Sequence, residues 1–273
     1  ANCGKCKYCL TGRSHMCSAD WPLAHEARMH NKKGQPLPQP FRIGSFAEYN
    51  IVHESQLVKI PEDMPLDSAS LLACGFTTGF GAVVNRAKVP IMSSCVIIGC
   101  GGVGLSAVQG AALSGAYPVI AVDIVDAKLK AARKFGATHT INSSKGDTVK
   151  EVQALTDGGA DFAFVTVGSV AAINQAVFMT GPRGTTVIVG LPKMMDMLQM
   201  PPFIFIKDER VLTGSYMGST QLHTDVPRLV ALYKAGILKL DELITHRFPL
   251  EKINEAIDEV EQGKALRNVI MFE

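Results

Sequence analysis

Residues 95–104 read CVIIGCGGVG, and this short stretch decides the fold. Its first four residues form a continuous apolar run, which is typical of a strand buried on both faces. A glycine cluster follows, and residues 103–113 then show a helical pattern. A buried strand, a tight glycine turn and a helix in this order predict the start of a parallel strand–helix–strand unit.

The same alternation continues along the chain, where helical patterns such as residues 128–135 separate further apolar runs. We therefore expect an α/β fold, a doubly wound parallel sheet of the Rossmann type with helices on both faces. The other predicted strands of this sheet are residues 119–122, 162–165, 186–189 and 211–213.

Two other regions have a different pattern. Residues 44–60 alternate between apolar and polar side chains, which predicts short strands that end before Pro61. The C-terminal part of the chain, after Gly218, contains two amphipathic helical patterns and then a short apolar run at residues 269–272.

The glycines of residues 99–104 have the spacing of a dinucleotide-binding turn. Gly99 allows the tight turn, Gly101 lets a pyrophosphate approach the backbone, and Gly104 lets helix and strand pack closely. The N-terminus of the following helix offers free N–H groups to phosphates. Glycine clusters also form ordinary turns, but the flanking strand and helix favour a nucleotide site here.

Asp123 ends the second predicted strand, nineteen residues after Gly104. A carboxylate at this position accepts hydrogen bonds from the adenosine ribose and repels the extra phosphate of NADP, so NAD is the predicted cofactor. The alternative is that Asp123 only caps the next helix.

Four cysteines near the start of the chain, Cys3, Cys6, Cys9 and Cys17, have the spacing C-x2-C-x2-C-x7-C. Four thiolates this close predict one closed, tetrahedral zinc site, with disulfides or scattered core thiols as the alternatives. Such a lobe normally belongs to a larger domain, so its position suggests that the chain starts inside one.

Composition excludes several classes of function. The chain has 273 residues, of which 47% are hydrophobic and 19% charged, and its net charge is +2, so neither nucleic acid nor a membrane is an expected partner. Seven cysteines without a signal peptide indicate a reducing cytoplasm. Apolar stretches are interrupted well before ~20 residues, so no membrane span is expected.

Residues 74–79 read CGFTTG, in which Cys74 by itself indicates a small buried side chain. Together with the cysteine lobe, the glycine turn and residues 243–272, this motif resembles the zinc-dependent medium-chain alcohol dehydrogenases along the whole chain. The resemblance implies a remnant of a GroES-like, mostly β catalytic domain beside the Rossmann domain. Its implied divisions are residues 1–75 (zinc lobe 1–20), 76–217 for NAD binding, and 218–273 for a C-terminal return to the catalytic domain.

The resemblance also implies roles for individual residues. The four cysteines of the lobe match the ligands of a structural zinc, and Cys74 matches one of three protein ligands of a catalytic zinc. Without the resemblance, Lys128 and Arg267 would be interpreted as exposed surface charges. The residues that match cofactor contacts are Thr78, Gly99, Gly101, Gly102, Val103, Gly104, Asp123, Lys128, Val167, Val189 and Arg267.

The chain departs from the family in two respects. Relatives carry a stretch of roughly ninety residues before the lobe, which supplies the other catalytic zinc ligands and the proton relay. The sequence therefore resembles an N-terminally truncated member with an incomplete catalytic site. His25 and Glu26 mimic the missing dipeptide but follow the lobe, and we interpret them as surface residues. Ser169 stands where many relatives carry Arg.

The full-length parent is expected to oxidise a primary or aromatic alcohol reversibly to an aldehyde with NAD, whereas this chain is expected to bind NAD and structural zinc without activity. The alternatives are a non-enzymatic NAD-binding paralogue or oligomer partner, and a zinc-free quinone-type reductase. A nucleic-acid-binding zinc module is disfavoured by the small net charge. Residues 186–189 and 200–215 resemble the sheet edge that pairs in the family's dimer, so a homodimer or homotetramer is expected.

Overall fold

The computed structural model describes residues 1–21, 28–39, 41 and 43–272. Its helices are α1 Lys7–Leu10, α2 Leu66–Leu71, α3 Gly75–Gly81, α4 Gly102–Leu113, α5 Asp126–Lys134, α6 Thr148–Leu155, α7 Val170–Met179, α8 Phe203–Lys207, α9 Leu222–Lys234 and α10 Ile253–Glu261. Its strands are β1 Met29–His30, β2 Pro36–Leu37, β3 Cys95–Ile98, β4 Val119–Asp123, β5 His139–Asn142, β6 Ala160–Val165, β7 Thr180–Ile188, β8 Val211–Gly214, β9 Ile244–Pro249 and β10 Arg267–Met271.

Strands β3–β8 form one six-stranded sheet in the order β5-β4-β3-β6-β7-β8, and every neighbouring pair is parallel. This is the strand order of a doubly wound dinucleotide-binding fold, and the predicted fold class is confirmed. The order reverses between β3 and β6. Ligands of such sheets bind at this reversal, outside the carboxyl ends of the strands.

The central strand β3 is buried at all four positions because helices cover both faces of the sheet. Successive side chains of a strand point to opposite faces. Ile97 accordingly packs with Leu105 of α4 in one core cluster. Val96 and Ile98 pack on the other face, in the cluster that contains Ile173 of α7. The continuous apolar run therefore reflects burial on both sides.

The prediction of short strands within residues 44–60 is wrong. The described residues of this stretch form bends and one 3₁₀ turn at Glu54–Gln56, and none of them pairs with another strand. An extended segment becomes a strand only where a neighbour satisfies its N–H and C=O groups. Apolar side chains in the stretch, including Phe46, Tyr49 and Ile51, are exposed.

The predicted sheet edge is correct only in part. Residues 186–188 belong to β7, which pairs with both β6 and β8 and so lies inside the sheet. Strand β8, within residues 200–215, is the edge strand at this side of the described sheet. Every helix among the described residues is too short or too polar to cross a bilayer.

Candidate functional site

The turn between β3 and α4 leaves an open cradle at the carboxyl end of the sheet. Gly99 has a φ of +94°, which favours glycine, and a Cβ there would clash with Val167. A Cβ at Gly104 would overlap the carbonyl oxygen of Gly99, so only glycine lets α4 start this close to β3. In contrast, no atom lies within 4 Å of a Cβ built on Gly101, so the space beside it is free.

The N-terminus of α4 faces this free space without a cap. Gly101 is the N-cap residue and provides no side-chain acceptor. The first N–H groups of a helix have no partner within the helix, and they carry the positive end of its dipole. This end of α4 therefore fits a phosphate group.

Asp123 lies at the rim of the cradle, at the end of β4. Its Oδ2 accepts a hydrogen bond from the backbone N–H of Cys100 at 2.7 Å, and its Oδ1 accepts one from Val125 at 2.9 Å. Burial raises the pKa of the Cys100 thiol to about 12, Asp123 adds to the rise, and Lys128 opposes it. Both charged groups predicted to hold the ribose are therefore neighbours of the turn. The carboxylate of Asp123 keeps further lone pairs, and the ammonium group of Lys128 keeps its donors, for a ligand.

Arg267 lies on the floor of the cradle, against the N-terminus of α4. Its guanidinium fills the space where a Cβ on Gly75 or Gly102 would stand, so it lies between the N-termini of α3 and α4. The residue is half-buried, not exposed as its charge alone would suggest. Burial lowers the pKa of Arg267, and the nearby Cys74 opposes the shift. Among the described residues, no group hydrogen-bonds or ion-pairs with this guanidinium.

The residues predicted to hold the nicotinamide end lie along the edge of the sheet beyond the turn. Thr78 of α3 has a buried Oγ1 that finds no partner among the described residues. Val103 is on α4, which approaches α3 so closely that a Cβ at Gly79 would clash with the Val103 carbonyl. Val167 follows β6 beside Gly99, and Val189 follows β7 and lines a large cleft. Ser169, which stands where many relatives carry Arg, is the N-cap residue of α7.

Thr166 is a functional candidate that sequence reasoning missed. Its Oγ1 shares a hydrogen between the carbonyl oxygens of Ile98 (2.9 Å) and Gly99 (2.8 Å). The hydroxyl thus holds the turn that shapes the cradle, and Thr166 is a positioning residue. A polar side chain directly after a buried parallel strand was the available signal, since such strand ends meet at the ligand-binding edge.

The four N-terminal cysteines form a compact cluster. All four Sγ atoms lie within 4.8 Å of one another, and Cys6 Sγ is 3.5 Å from Cys9 Sγ and 3.9 Å from Cys17 Sγ. A tetrahedral zinc with bonds of about 2.3 Å needs sulfur atoms about 3.8 Å apart, and a disulfide needs about 2 Å. All four cysteines are free thiols. The donor set and its spacing therefore fit a closed zinc site.

Hydrogen bonds within the lobe favour thiolates at two of these positions. The backbone N–H of Cys9 lowers the pKa of Cys6 to about 6, and that of Lys5 lowers the pKa of Cys3. Burial raises the pKa of Cys9 to about 11, and its contact with the Cys6 side chain adds to the rise. Gln221, the N-cap residue of α9, ties the lobe to the remaining structure through a 2.7 Å hydrogen bond from its Nε2 to the carbonyl of Gly12.

Cys74 is placed differently. It is exposed and immediately precedes α3, beside Arg267. Over the part of the chain that the structure describes, it belongs to no group of three or more His, Cys, Asp or Glu side chains that could share a metal. His25 and Glu26 lie outside the described residues. A catalytic zinc needs three protein ligands, so the described residues do not fit one.

Comparison with known proteins identifies the family. Residues 1–62 match the alcohol dehydrogenase GroES-like domain, and residues 102–235 match the zinc-binding dehydrogenases. The sequence is 38% identical to alcohol dehydrogenase 1 of Trifolium repens, over 99% of this chain and 74% of that protein. The chain belongs to the zinc-dependent medium-chain alcohol dehydrogenases. The family predicted from the sequence is confirmed, and it implies an enzyme that uses zinc and NAD on an alcohol or aldehyde.

Two further relatives agree with this assignment. The chain is 35% identical to S-(hydroxymethyl)glutathione dehydrogenase of Saccharomyces cerevisiae, over 99% of its own length and 73% of that protein. Its structure superposes on that of benzyl alcohol dehydrogenase from Acinetobacter calcoaceticus with a TM-score of 0.91 and 34% identity, covering 100% of this chain and 76% of that one. Such relatives favour an alcohol dehydrogenase over a zinc-free quinone-type reductase or a nucleic-acid-binding module.

The cysteine cluster generates the first prediction. Purified, dialysed protein should hold one zinc per chain by elemental analysis, because four thiolates form a closed coordination shell. Cys17→Ser should lose this zinc, since three sulfur ligands remain. Cys74→Ser is the matched control and should keep it. Two zinc ions per wild-type chain, with one lost in Cys74→Ser, would contradict this assignment of the ligands.

Proposed function

We propose that residues 76–217 of this chain, together with Arg267, bind NAD in the cradle between β3 and α4. In the full-length parent, the bound NAD would serve the reversible oxidation of a primary or aromatic alcohol to an aldehyde. The observation that carries the proposal is Arg267, a half-buried guanidinium without a partner among the described residues, beside the uncapped N-terminus of α4. Positive charge concentrated beside an open space suits the pyrophosphate of a dinucleotide.

The adenosine end of the cofactor would lie between Asp123 and Lys128. Asp123 is held by the N–H groups of Cys100 and Val125, so its orientation is set before a ligand arrives. Lone pairs that remain on both oxygens would accept the ribose hydroxyls. A 2′-phosphate at the same place would meet a fixed negative charge, which supports NAD over NADP.

The pyrophosphate would lie over Gly101 and Gly102. The empty space beside Gly101 lets a ligand reach the backbone N–H groups of α4. Arg267 lies against Gly102 and would donate to the same phosphates.

The nicotinamide end would lie towards Thr78, Val103, Val167 and Val189. The buried hydroxyl of Thr78 has no partner among the described residues and would gain one from a polar group of the ligand. The three valines offer an apolar wall that excludes water from the ring. Bound NAD supplies the hydride-accepting chemistry, while the protein fixes its position.

Zinc would have a structural role at Cys3, Cys6, Cys9 and Cys17, because four protein ligands leave no open position for a substrate. We assign Cys74 to the catalytic zinc by its place in the family motif. Cys74 has no companion ligands among the described residues. We therefore infer that the chain by itself binds NAD and one zinc but does not catalyse the oxidation of an alcohol.

Two further parts of the proposal concern the surroundings of the chain. All seven cysteines are free, which supports the reducing cytoplasm as its compartment. The edge strand β8, with exposed Val211 and with Phe203 and Ile206 of α8 nearby in sequence, supports a homodimer or homotetramer.

Replacing the rim carboxylate tests the cofactor choice. Asp123→Asn should weaken NAD binding roughly tenfold, because a hydrogen bond to a charged group is lost, and should improve the affinity for NADP relative to NAD. Isothermal titration calorimetry with both dinucleotides measures this. Asp126→Asn, at an exposed position of α5, is the control and should leave both affinities unchanged. Equal NAD binding by wild type and Asp123→Asn would remove Asp123 from the site.

Turnover tests the reaction itself. With NAD, added zinc and benzyl alcohol, the purified chain should produce no NADH above a protein-free blank, because Cys74 has no companion zinc ligands among the described residues. NAD should nevertheless bind. The contrary result is zinc-dependent NADH formation that Cys74→Ser abolishes, which would mean that the chain assembles a working catalytic zinc.

A further inference from the structure

A cleft of about 1320 Å³ separates the zinc lobe from the carboxyl ends of β7 and β8. The lobe contributes residues 11–13, 15 and 16, and the π-helical turn Ala82–Ala87 after α3 forms a second wall with Lys88. Residues 188–192 form the side towards the cradle. The cleft is therefore continuous with Val189, where the nicotinamide end is proposed to lie.

The charges that line this cleft are strongly unbalanced. Four permanent cations face it, and Asp225 is the one carboxylate among its lining residues. The resulting charge of +3 exceeds the +2 of the entire chain, so the rest of the chain is net negative. A cavity that concentrates one sign of charge attracts ligands of the opposite sign. The cations are Arg13, Arg86, Lys88 and Arg228.

The single carboxylate does not neutralise the excess. Asp225 already accepts hydrogen bonds from the side-chain amide of Asn85 at 3.0 Å and from the backbone N–H of Gln221 at 2.9 Å. Arg228 reaches it only at 3.9 Å. Arg86 donates from Nε to the carbonyl of Gly214 at 2.8 Å, and no carboxylate of the described residues pairs with it.

Two polar atoms of the lining are buried without partners. Ser215 is only 9% exposed, and its Oγ finds no hydrogen bond among the described residues. The same holds for Nδ1 of His15, on the lobe side. Buried polar atoms usually have partners, so unsatisfied ones at a cavity wall indicate a missing ligand.

Apolar side chains complete the cleft on the side of the cradle, among them Val189, Leu191 and Pro192. An apolar wall beside the proposed hydride-transfer position and cations farther away suit an elongated molecule with two unlike ends. We propose that this cleft selects an alcohol or aldehyde whose apolar body ends in a carboxylate. That this molecule is a substrate rests on the proposed function. That the cleft binds an anion rests on the cleft alone.

The test compares 4-(hydroxymethyl)benzoate with benzyl alcohol, which has the same apolar body without the carboxylate. Calorimetric titration into the NAD-saturated protein at low ionic strength should show roughly tenfold tighter binding of the carboxylate, as expected for a charge-assisted hydrogen bond. This preference should shrink as salt is added, because salt screens exposed charges.

Arginine variants show which side chains cause the preference for the carboxylate. Arg86→Gln should abolish the tenfold preference. Arg133→Gln is the matched control. The Arg86 guanidinium donates to the Gly214 carbonyl and to Thr213 Oγ1, and that of Arg133 on α5 makes the same two kinds of contact outside the cleft. Arg13→Gln keeps the test decisive if Arg86→Gln folds poorly, because no described residue hydrogen-bonds or ion-pairs with the Arg13 side chain.

The outcomes separate the two proposals. Equal affinity for both alcohols, or a preference that persists in both arginine variants, would overturn the anion site. The same titration is repeated without dinucleotide. An arginine-dependent carboxylate preference in a protein that does not bind NAD would support the anion site and overturn the proposed function.

Discussion

Helix α4 starts so close to strand β3 that any side chain at Gly104 would overlap the carbonyl oxygen of Gly99. This backbone contact brings the uncapped N-terminus of α4 to the carboxyl edge of the sheet. Thr166 holds the same turn from β6, and Asp123 holds it from β4. The three central strands thus converge on one peptide turn, and the shape of the cradle follows from their register.

The charges around this turn are arranged to receive a particular ligand. The floor of the cradle is positive because the α4 dipole and Arg267 lie there, whereas the rim at Asp123 is negative. A half-buried cation without a partner lowers the stability of the folded protein. Such unfavourable features concentrate at functional sites, where a ligand offsets them.

The parts of the fold that are visible in the sequence are those decided by local pattern. Strand β3 is predictable because both of its faces are buried, which leaves an uninterrupted apolar run. Strand β5 was missed because Ile141 is its one buried residue and the others are polar. Residues 44–60 have an alternating pattern, but no strand of the described chain lies beside them, and pairing is not encoded locally.

The candidate site also has features that local sequence predicts and features that only the fold reveals. The cysteine cluster is predictable because all four thiols lie within one short segment. The placement of Arg267 against Gly102 joins residues far apart in the chain, and only the resemblance to a family pointed to it. The roles of Thr166 and of the cationic cleft depend on which strand ends become neighbours. That information appears only when the sheet order is known.

The affinity of Arg267→Gln for NAD tests the central claim most directly, because this guanidinium is half-buried without a partner among the described residues. Calorimetric titration should show NAD binding at least roughly tenfold weaker than in wild type, the loss expected for a charge-assisted contact to phosphate. Thermal unfolding of the free variant should occur at the same or a higher temperature, because removing an unpaired buried charge relieves a cost. An unchanged NAD affinity would contradict the account of the cradle as a pyrophosphate site.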